Sequence, residues 1–471
     1  MSEVPALFQL PASWLVALLS EWLDMPMIGA FDTAVTSKMH RSQFLQSLKN
    51  MRSTNVSTYE FLNSSFWRWL SIRQVYVETV PTLYCGVVRS HLVISSMQKV
   101  ATHNIEDEDL WYLVRNCPFL RSLKVTCNMY QNMITATGLK YIADFCHNLD
   151  ELSFFDPIGV DYQPITEWIS IFQQCHNLKR VSLLGGTLQS VNLKELLQFG
   201  HLIYELHLYV SPSWNLLDIT NLLTNCGNLK KLVCNSSFNK QDSPPLVITA
   251  ECCPLLEELT LFVVPTGFID HCKHLIKLSL NIVDLSDSIV CSISGMEKLK
   301  DLCFYCCKGL TAVGIAQITN MTLDRLHIVS SPLCFGNVFT VASLRSFAGT
   351  NISRTLQSLR IRSKFNDSLV EDLEIADALT TCPNLKDLYL ASFDNKWVFG
   401  RDDVACLEVL AAGCPLLEDL EIILTAQGLA CVGAHCPNLR TYRYTLPYAL
   451  NDSEKVRNEL SILYPHVTWY V

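Results

Sequence analysis

Apolar residues fall along this chain at offsets of three and then two, followed by a polar break. Leu385, Leu388 and Leu390 show the pattern, with Tyr389 between the last two. An interval of two puts Leu388 and Leu390 on one side of a strand and Tyr389 on the other. The inward pair recurs as Leu152/Phe154, Val181/Leu183, Leu206/Leu208, Leu259/Leu261, Leu278/Leu280, Leu326/Ile328, Leu359/Ile361 and Leu420/Ile422. Between these strands the interval changes to three and four, as over 137–145 and 404–412, which predicts helices with one apolar face. A short phrase, Cys-x-x-Leu closing on an apolar or aromatic residue, introduces most strands. It stands at Cys117, Cys146, Cys175, Cys226, Cys253, Cys272, Cys382, Cys414 and Cys436, with degenerate copies at Gly200, Met296, Asn320 and Ser353. The thirteen copies start 19 to 33 residues apart.

L-x-x-L-x-L recurring at this interval is the signature of a leucine-rich-repeat solenoid of the α/β class. One such strand cannot bury its face alone, so the repeats stack into a parallel sheet on the concave side with helices on the convex side. Pro or Asn after the Cys ends the helix and opens the turn into the strand. The Cys itself fits the narrow corner between helix and strand, since free Cys is among the most buried residue types. Nine of the 20 Cys are accounted for this way. Equivalent positions in a stack give no reason for pairing, so reduced thiols are expected, and with them a cytoplasmic setting, the nucleus included. N-x-S/T triplets at Asn55 and Asn351 are of the kind that arise by chance. The N-terminus lacks a basic region, and Glu21 and Asp24 interrupt its apolar stretch, unlike a cleaved signal.

Residues 1–69 lack the repeat. Pro11 suits a first helical turn, and Leu15, Leu18, Leu19, Trp22 and Leu23 form one stripe. Asp24-Met25-Pro26 breaks that helix. A second stretch follows through Ile28, Phe31 and Val35, and a third through Phe44, Leu45, Leu48 and Met51. Leu10-Pro11, Leu18-Leu19, Trp22-Leu23-Asp24 and Ile28 resemble the opening of an F-box, and Phe66-Trp67-Arg68-Trp69-Leu70 is similar to the aromatic step closing many F-boxes. The Cys-bearing copies over roughly 110–445 resemble the cysteine-containing repeats of F-box/leucine-rich-repeat proteins. That resemblance implies a substrate-recognition subunit of a cullin-type ubiquitin ligase. Leu10, Pro11, Leu15, Leu18, Leu19, Trp22, Leu23 and Ile28 would then face the ligase's adaptor, and a target protein would lie on the concave sheet. The chain itself would do no covalent chemistry. Without the resemblance, residues 1–69 read as a helical cap over the first repeat. The expected organisation is an F-box-like domain at 1–69, a transition at 70–109, the solenoid at 110–445 and a cap at 446–471. In that cap a helix over 454–463 is followed by a β-prone end. Three stretches depart from the repeat, at 235–249, 330–353 and 391–403.

Composition narrows the partners. Hydrophobic residues make up 49% and charged residues 17%, as suits a long interior stripe. A net charge of −9 argues against general binding of nucleic acid, and no apolar run is long enough to span a membrane. No phosphate-binding, nucleophile-elbow or zinc-protease motif occurs, and no cofactor is expected. Cys303-Phe304-Tyr305-Cys306-Cys307 is a weak metal candidate, without a second pair at ligand spacing. Cys303 is expected to project outward. His207 and His327 read as solvated residues between strand leucines. The position after each inward pair holds Phe155, Leu184, Tyr209, Phe262, Tyr305, Val329 and Ile423, a row of the kind found at protein interfaces. Covered strand ends explain the same row. Arg325, Arg360 and Arg362, then Asp387, Asp419 and Glu421, form a basic and an acidic track. The target-facing residues expected from these patterns are Phe155, Tyr209, Phe262, Tyr305, Arg325, Arg360, Arg362 and Tyr389. The runner-up is a plain scaffold or inhibitor that binds one protein and recruits no ligase, and an enzyme or metal protein using the Cys-rich centre is the reading from a different class.

Overall fold

The computed structural model describes residues 16, 28, 30, 32, 34–35, 38–50, 52–53, 69, 72–73, 76–84, 96–127, 134–156, 167–185, 197–210, 216–236, 252–261, 272–281, 285, 287–306, 310, 312–329, 341–363, 369–392, 397–400, 404–443 and 453–470. The chain forms two compact units, Met1–Leu229 with Ser237–Gln241, and Lys230–Ser236 with Asp242–Val471. Sixteen parallel strands follow one another in chain order. Six belong to the first unit, from Thr79–Tyr84 to Glu205–Val210, and ten to the second, from Lys231–Ser236 to Thr468–Tyr470. Thirteen of the sixteen follow the thirteen copies of the Cys phrase. The other three, Thr79–Tyr84, Lys99–His103 and Thr468–Tyr470, lack the phrase, and the first carries a register shift between Val80 and Leu83, so the sheet starts upstream of Cys117. This is the leucine-rich-repeat architecture that the apolar spacing calls for.

Register shows why the spacing works. In the second unit Leu278, Leu302, Leu326, Leu359, Leu388 and Leu420 are aligned strand to strand, and Tyr442 continues the row. All seven are at most 1% exposed. Each buried leucine contributes roughly 1.5–3 kcal/mol relative to exposure, which a lone strand would forgo. Helices such as Ala136–Phe145 and Glu167–Gln174 pack against one another behind the sheet of the first unit.

The Cys corner joins helix to strand by a fixed set of bonds. Its N–H ends the helix, as Cys146 N donates to Ile142 O at 2.9 Å and Cys414 N to Leu410 O at 2.9 Å. Its carbonyl then accepts from the leucine three residues on, at 3.1 Å for both Leu149 to Cys146 and Leu385 to Cys382. The thiol turns back to the preceding repeat: Cys175 Sγ donates to Cys146 O at 3.2 Å, and Cys414 Sγ to Leu379 O at 3.5 Å. All nine Cys of the column are buried free thiols, as the repeat requires.

Two residues after the Cys, an asparagine fastens the same corner. Asn148 Nδ2 donates to Pro118 O at 3.0 Å, Asn384 Nδ2 to Arg354 O at 2.6 Å, and Asn438 Nδ2 to Pro415 O at 2.8 Å. Each bond reaches the matching turn of the repeat before it. Phe119, Leu255 and Leu416 hold this position without a donor and stay exposed. On the strands, the first outward position of the second unit alternates in charge through Lys231, Glu258, Lys277, Asp301 and Arg325, all in register.

The second unit closes on Tyr442, which donates to Ile422 O at 2.6 Å and packs on Trp469 with ring centres 5.5 Å apart. In the first unit, buried Asp32 accepts from Trp69 Nε1 at 2.8 Å and Arg73 Nε at 3.0 Å, and forms an ion pair with Arg41 Nη2 at 3.1 Å.

Burial pushes the thiols of Cys117, Cys175, Cys272 and Cys414 from 9.0 up to about 12. In the unfolded chain these thiols lose their protons from about 9, so above that pH ionisation favours unfolding. Stability is therefore expected to fall as pH rises from 9 towards 12, measurable by denaturant titration at fixed ionic strength. Thiol labelling of the native protein at neutral pH should modify exposed Cys291 and spare the nine column residues; rapid modification of most of them would overturn the structural role.

Candidate functional site

The free face of the sheet in the second unit is read in columns. The middle outward column runs Cys303, His327, Arg360, Tyr389, Glu421, Arg443 and Tyr470 in register. The column beside it runs Tyr305, Val329, Arg362 and Ala391. Adjacent strands lie about 4.8 Å apart, so this short piece of chain-distant sequence becomes one continuous surface.

Asp387 organises it. Its carboxylate accepts from Ser358 Oγ at 2.7 Å and from Arg360 Nε at 3.1 Å, with Arg360 Nη2 at 3.4 Å. His327 Nε2 stands 3.4 Å from the same Ser358 Oγ, extending the chain of contacts to a fourth residue. Arg325 Nη1 faces Asp301 Oδ2 at 3.4 Å. Burial, followed by the positive charge of Arg360, pushes the His327 imidazole below 6.5, so it is neutral at neutral pH. Burial also raises the Tyr305 and Tyr389 phenols, keeping both as neutral hydrogen-bonding rings. Glu421 is raised by burial, against the pull of Arg360 and Arg443. A half-buried row of this kind has polar tips over apolar bodies and suits the holding of a polypeptide.

Tyr305, Arg325, Arg360, Arg362 and Tyr389 thus fall on one face of the second unit, Arg325 exposed and the other four half-buried. Phe155 belongs to the first unit and is exposed at 38%, beside Thr126 and Leu184 in register. Tyr209 lies on the strand Glu205–Val210 of the first unit, its side chain outside the described residues, and Phe262 is also outside them. Of Tyr209, Phe262 and Tyr305, only Tyr305 has a described side chain on this face. Cys303 does occupy the outward column, yet it is 6% exposed, hydrogen-bonded with Tyr305 and pushed up to about 11 by burial, so it is covered rather than projecting. Ile423 is corrected in the same sense: it is buried, and its carbonyl accepts from Phe399 N at 2.9 Å. The turn that covers it is pinned by Asp372, which accepts from Trp397 Nε1 at 3.0 Å and Gly400 N at 2.8 Å. Of the residues assigned to the adaptor, Leu10, Pro11, Leu15, Leu18, Leu19, Trp22 and Leu23 lie outside the described residues. Ile28 is described, and at 1% exposure it packs inside the first unit.

Sequence spacing set aside His327 and gave Ser358 no role. The signal for both was their register with Arg360 and Asp387, which exists only once strands are aligned.

No protein-family model matches the chain, and no curated protein matches it. Solved structures do. An internalin from Listeria monocytogenes str. 4b F2365 is 14% identical over 77% of this chain and 88% of its own, with a TM-score of 0.33. Rad7, in its yeast complex with Elc1, is 16% identical over 94% of this chain and 93% of the other, with a TM-score of 0.40. A leucine-rich-repeat protein of Leptospira interrogans is 14% identical over 75% and 91%, with a TM-score of 0.36. The architecture rests on the aligned strands and their repeats rather than on these likenesses. It defines a leucine-rich-repeat solenoid. Among the described residues no helix is long and apolar enough to cross a membrane.

Histidine titration by NMR should place the His327 midpoint below 6.5. Arg360→Gln should raise it, because the guanidinium is gone and Asp387 is freed to favour the imidazolium. Since His327 takes up a proton more readily unfolded, its contribution to stability is lost as pH falls below 6.5. A midpoint unmoved by Arg360→Gln would show that the two side chains do not share one environment.

Proposed function

We propose that the chain is the substrate-recognition subunit of a cullin-type ubiquitin ligase, with its N-terminal helices on the adaptor and a target protein on the free sheet face of the second unit. The observation that carries the target-binding half is the contiguous row His327, Arg360, Tyr389 and Glu421, with Tyr305 in the column beside it, all half-buried and, among the described residues, without a covering turn like that over Ile423. Half-buried tyrosine and arginine are the side chains that dominate binding energy in protein interfaces. The ligase half rests on the likeness of Leu10-Pro11 and the stripe through Trp22 to an F-box opening. In this reading the chain works by position. Holding a target lysine beside a ubiquitin-loaded enzyme raises their effective concentration, and the covalent step belongs to that enzyme.

Replacing Leu10 and Pro11 together by Ala should abolish co-purification of the adaptor and leave the circular-dichroism melt of the repeats unchanged. Retained co-purification would leave the scaffold reading, a target-binding protein that recruits nothing. Tyr389→Ala should weaken the target by about 2 kcal/mol or more in calorimetry, at unchanged adaptor binding.

A further inference from the structure

One cation on this face stands apart. Arg325 faces Asp301, and Arg360 is held by Asp387. Arg362 lies between Val329 and Ala391 in register, and its Nε is buried with no hydrogen-bond partner among the described residues. The side chains of its two strand neighbours carry no hydrogen-bond acceptor, and its charge acts on the Tyr389 phenol. A native fold seldom leaves such a donor without an acceptor, because it pays the full desolvation penalty and receives no bond in return. An arginine whose Nε has no partner among the described residues can offer its planar fork to an incoming acceptor.

We infer that Arg362 receives a carboxylate side chain of the bound polypeptide, so that the target segment lying on this face carries an Asp or Glu at that position. The inference rests on the target-binding reading above and names the chemistry of the segment it would hold. Charge complementarity favours a carboxylate: among the described residues the Arg362 guanidinium has no ion pair, and a single negative charge matches it. A phosphate would bring a second negative charge beside Tyr389 and towards Glu421, which already stands next to Asp387 on this face. Tyr389, on the next strand, sets a neutral, half-buried ring near the position, which strengthens the pair by lowering its exposure to water.

Peptide phage display against the immobilised full chain tests this, run in parallel on Arg362→Gln and Tyr389→Ala. The expected result is a set of peptides with Asp or Glu at one fixed position, lost on both variants. A synthetic peptide from that set should bind about tenfold or more weaker when its acid is replaced by the amide, the scale of one charge-assisted bond. Arg362→Lys should bind it with intermediate affinity, because the charge remains and the fork is lost. The thermal melt of Arg362→Gln should match that of the unaltered protein; a lowered melt would make Arg362 an internal packing residue and overturn the inference. Peptides lost on Tyr389→Ala but showing no acidic position would also overturn it, while leaving the binding face in place. Tighter binding of a phosphoserine twin would overturn the choice of carboxylate. Peptides that bind all three proteins equally would sink the binding face as well.

Discussion

Every strand in this fold depends on a backbone bond it cannot make by itself. The carbonyl just ahead of one strand accepts two N–H groups from the next repeat, as Gln357 O does from Lys386 N at 2.7 Å and Asp387 N at 3.0 Å. The same pairing recurs from Arg121 to Glu418. A parallel stack satisfies its polar edges only repeat by repeat, and stability is then a sum of neighbour interfaces. The inward leucines, the Cys corner and the asparagine bonds all act at those interfaces. The outward columns inherit their alignment from them, so the candidate site is a by-product of the packing behind it.

Much of the fold was legible in the chain because its period is physical. The interval of two set the face of each strand, and the interval of three and four set the helices, as Ala136–Phe145 and Ala405–Gly413 show. The Cys phrase located thirteen strands, and it missed Lys99–His103 because no Cys introduces that strand. Burial of the Cys could be read from its place at the corner. Its bond to the carbonyl of the preceding repeat could not, since that depends on how closely two repeats approach.

The site was legible in part. Arg360 and Tyr389 could be placed on the free face from alternation alone. Their company could not, because His327, Ser358 and Asp387 meet across strands 29 to 31 residues apart in sequence. Ile423 shows the opposite limit. Alternation exposes it, but the turn held by Asp372 covers it, and that turn lies in a stretch where the repeat pattern lapses. Departures from the period are thus where sequence spacing loses its authority over exposure.

The alternating charges at the first outward position have a consequence for how such a chain can gain or lose length. Lys231, Glu258, Lys277, Asp301 and Arg325 each stand beside the opposite sign. Excising the single repeat that carries Glu258 would set Lys231 directly against Lys277, and like charges across a strand pair repel. Excising two neighbouring repeats would restore the alternation. In this stretch a change of length by two repeats therefore keeps the charge pairing, whereas a change by one breaks it.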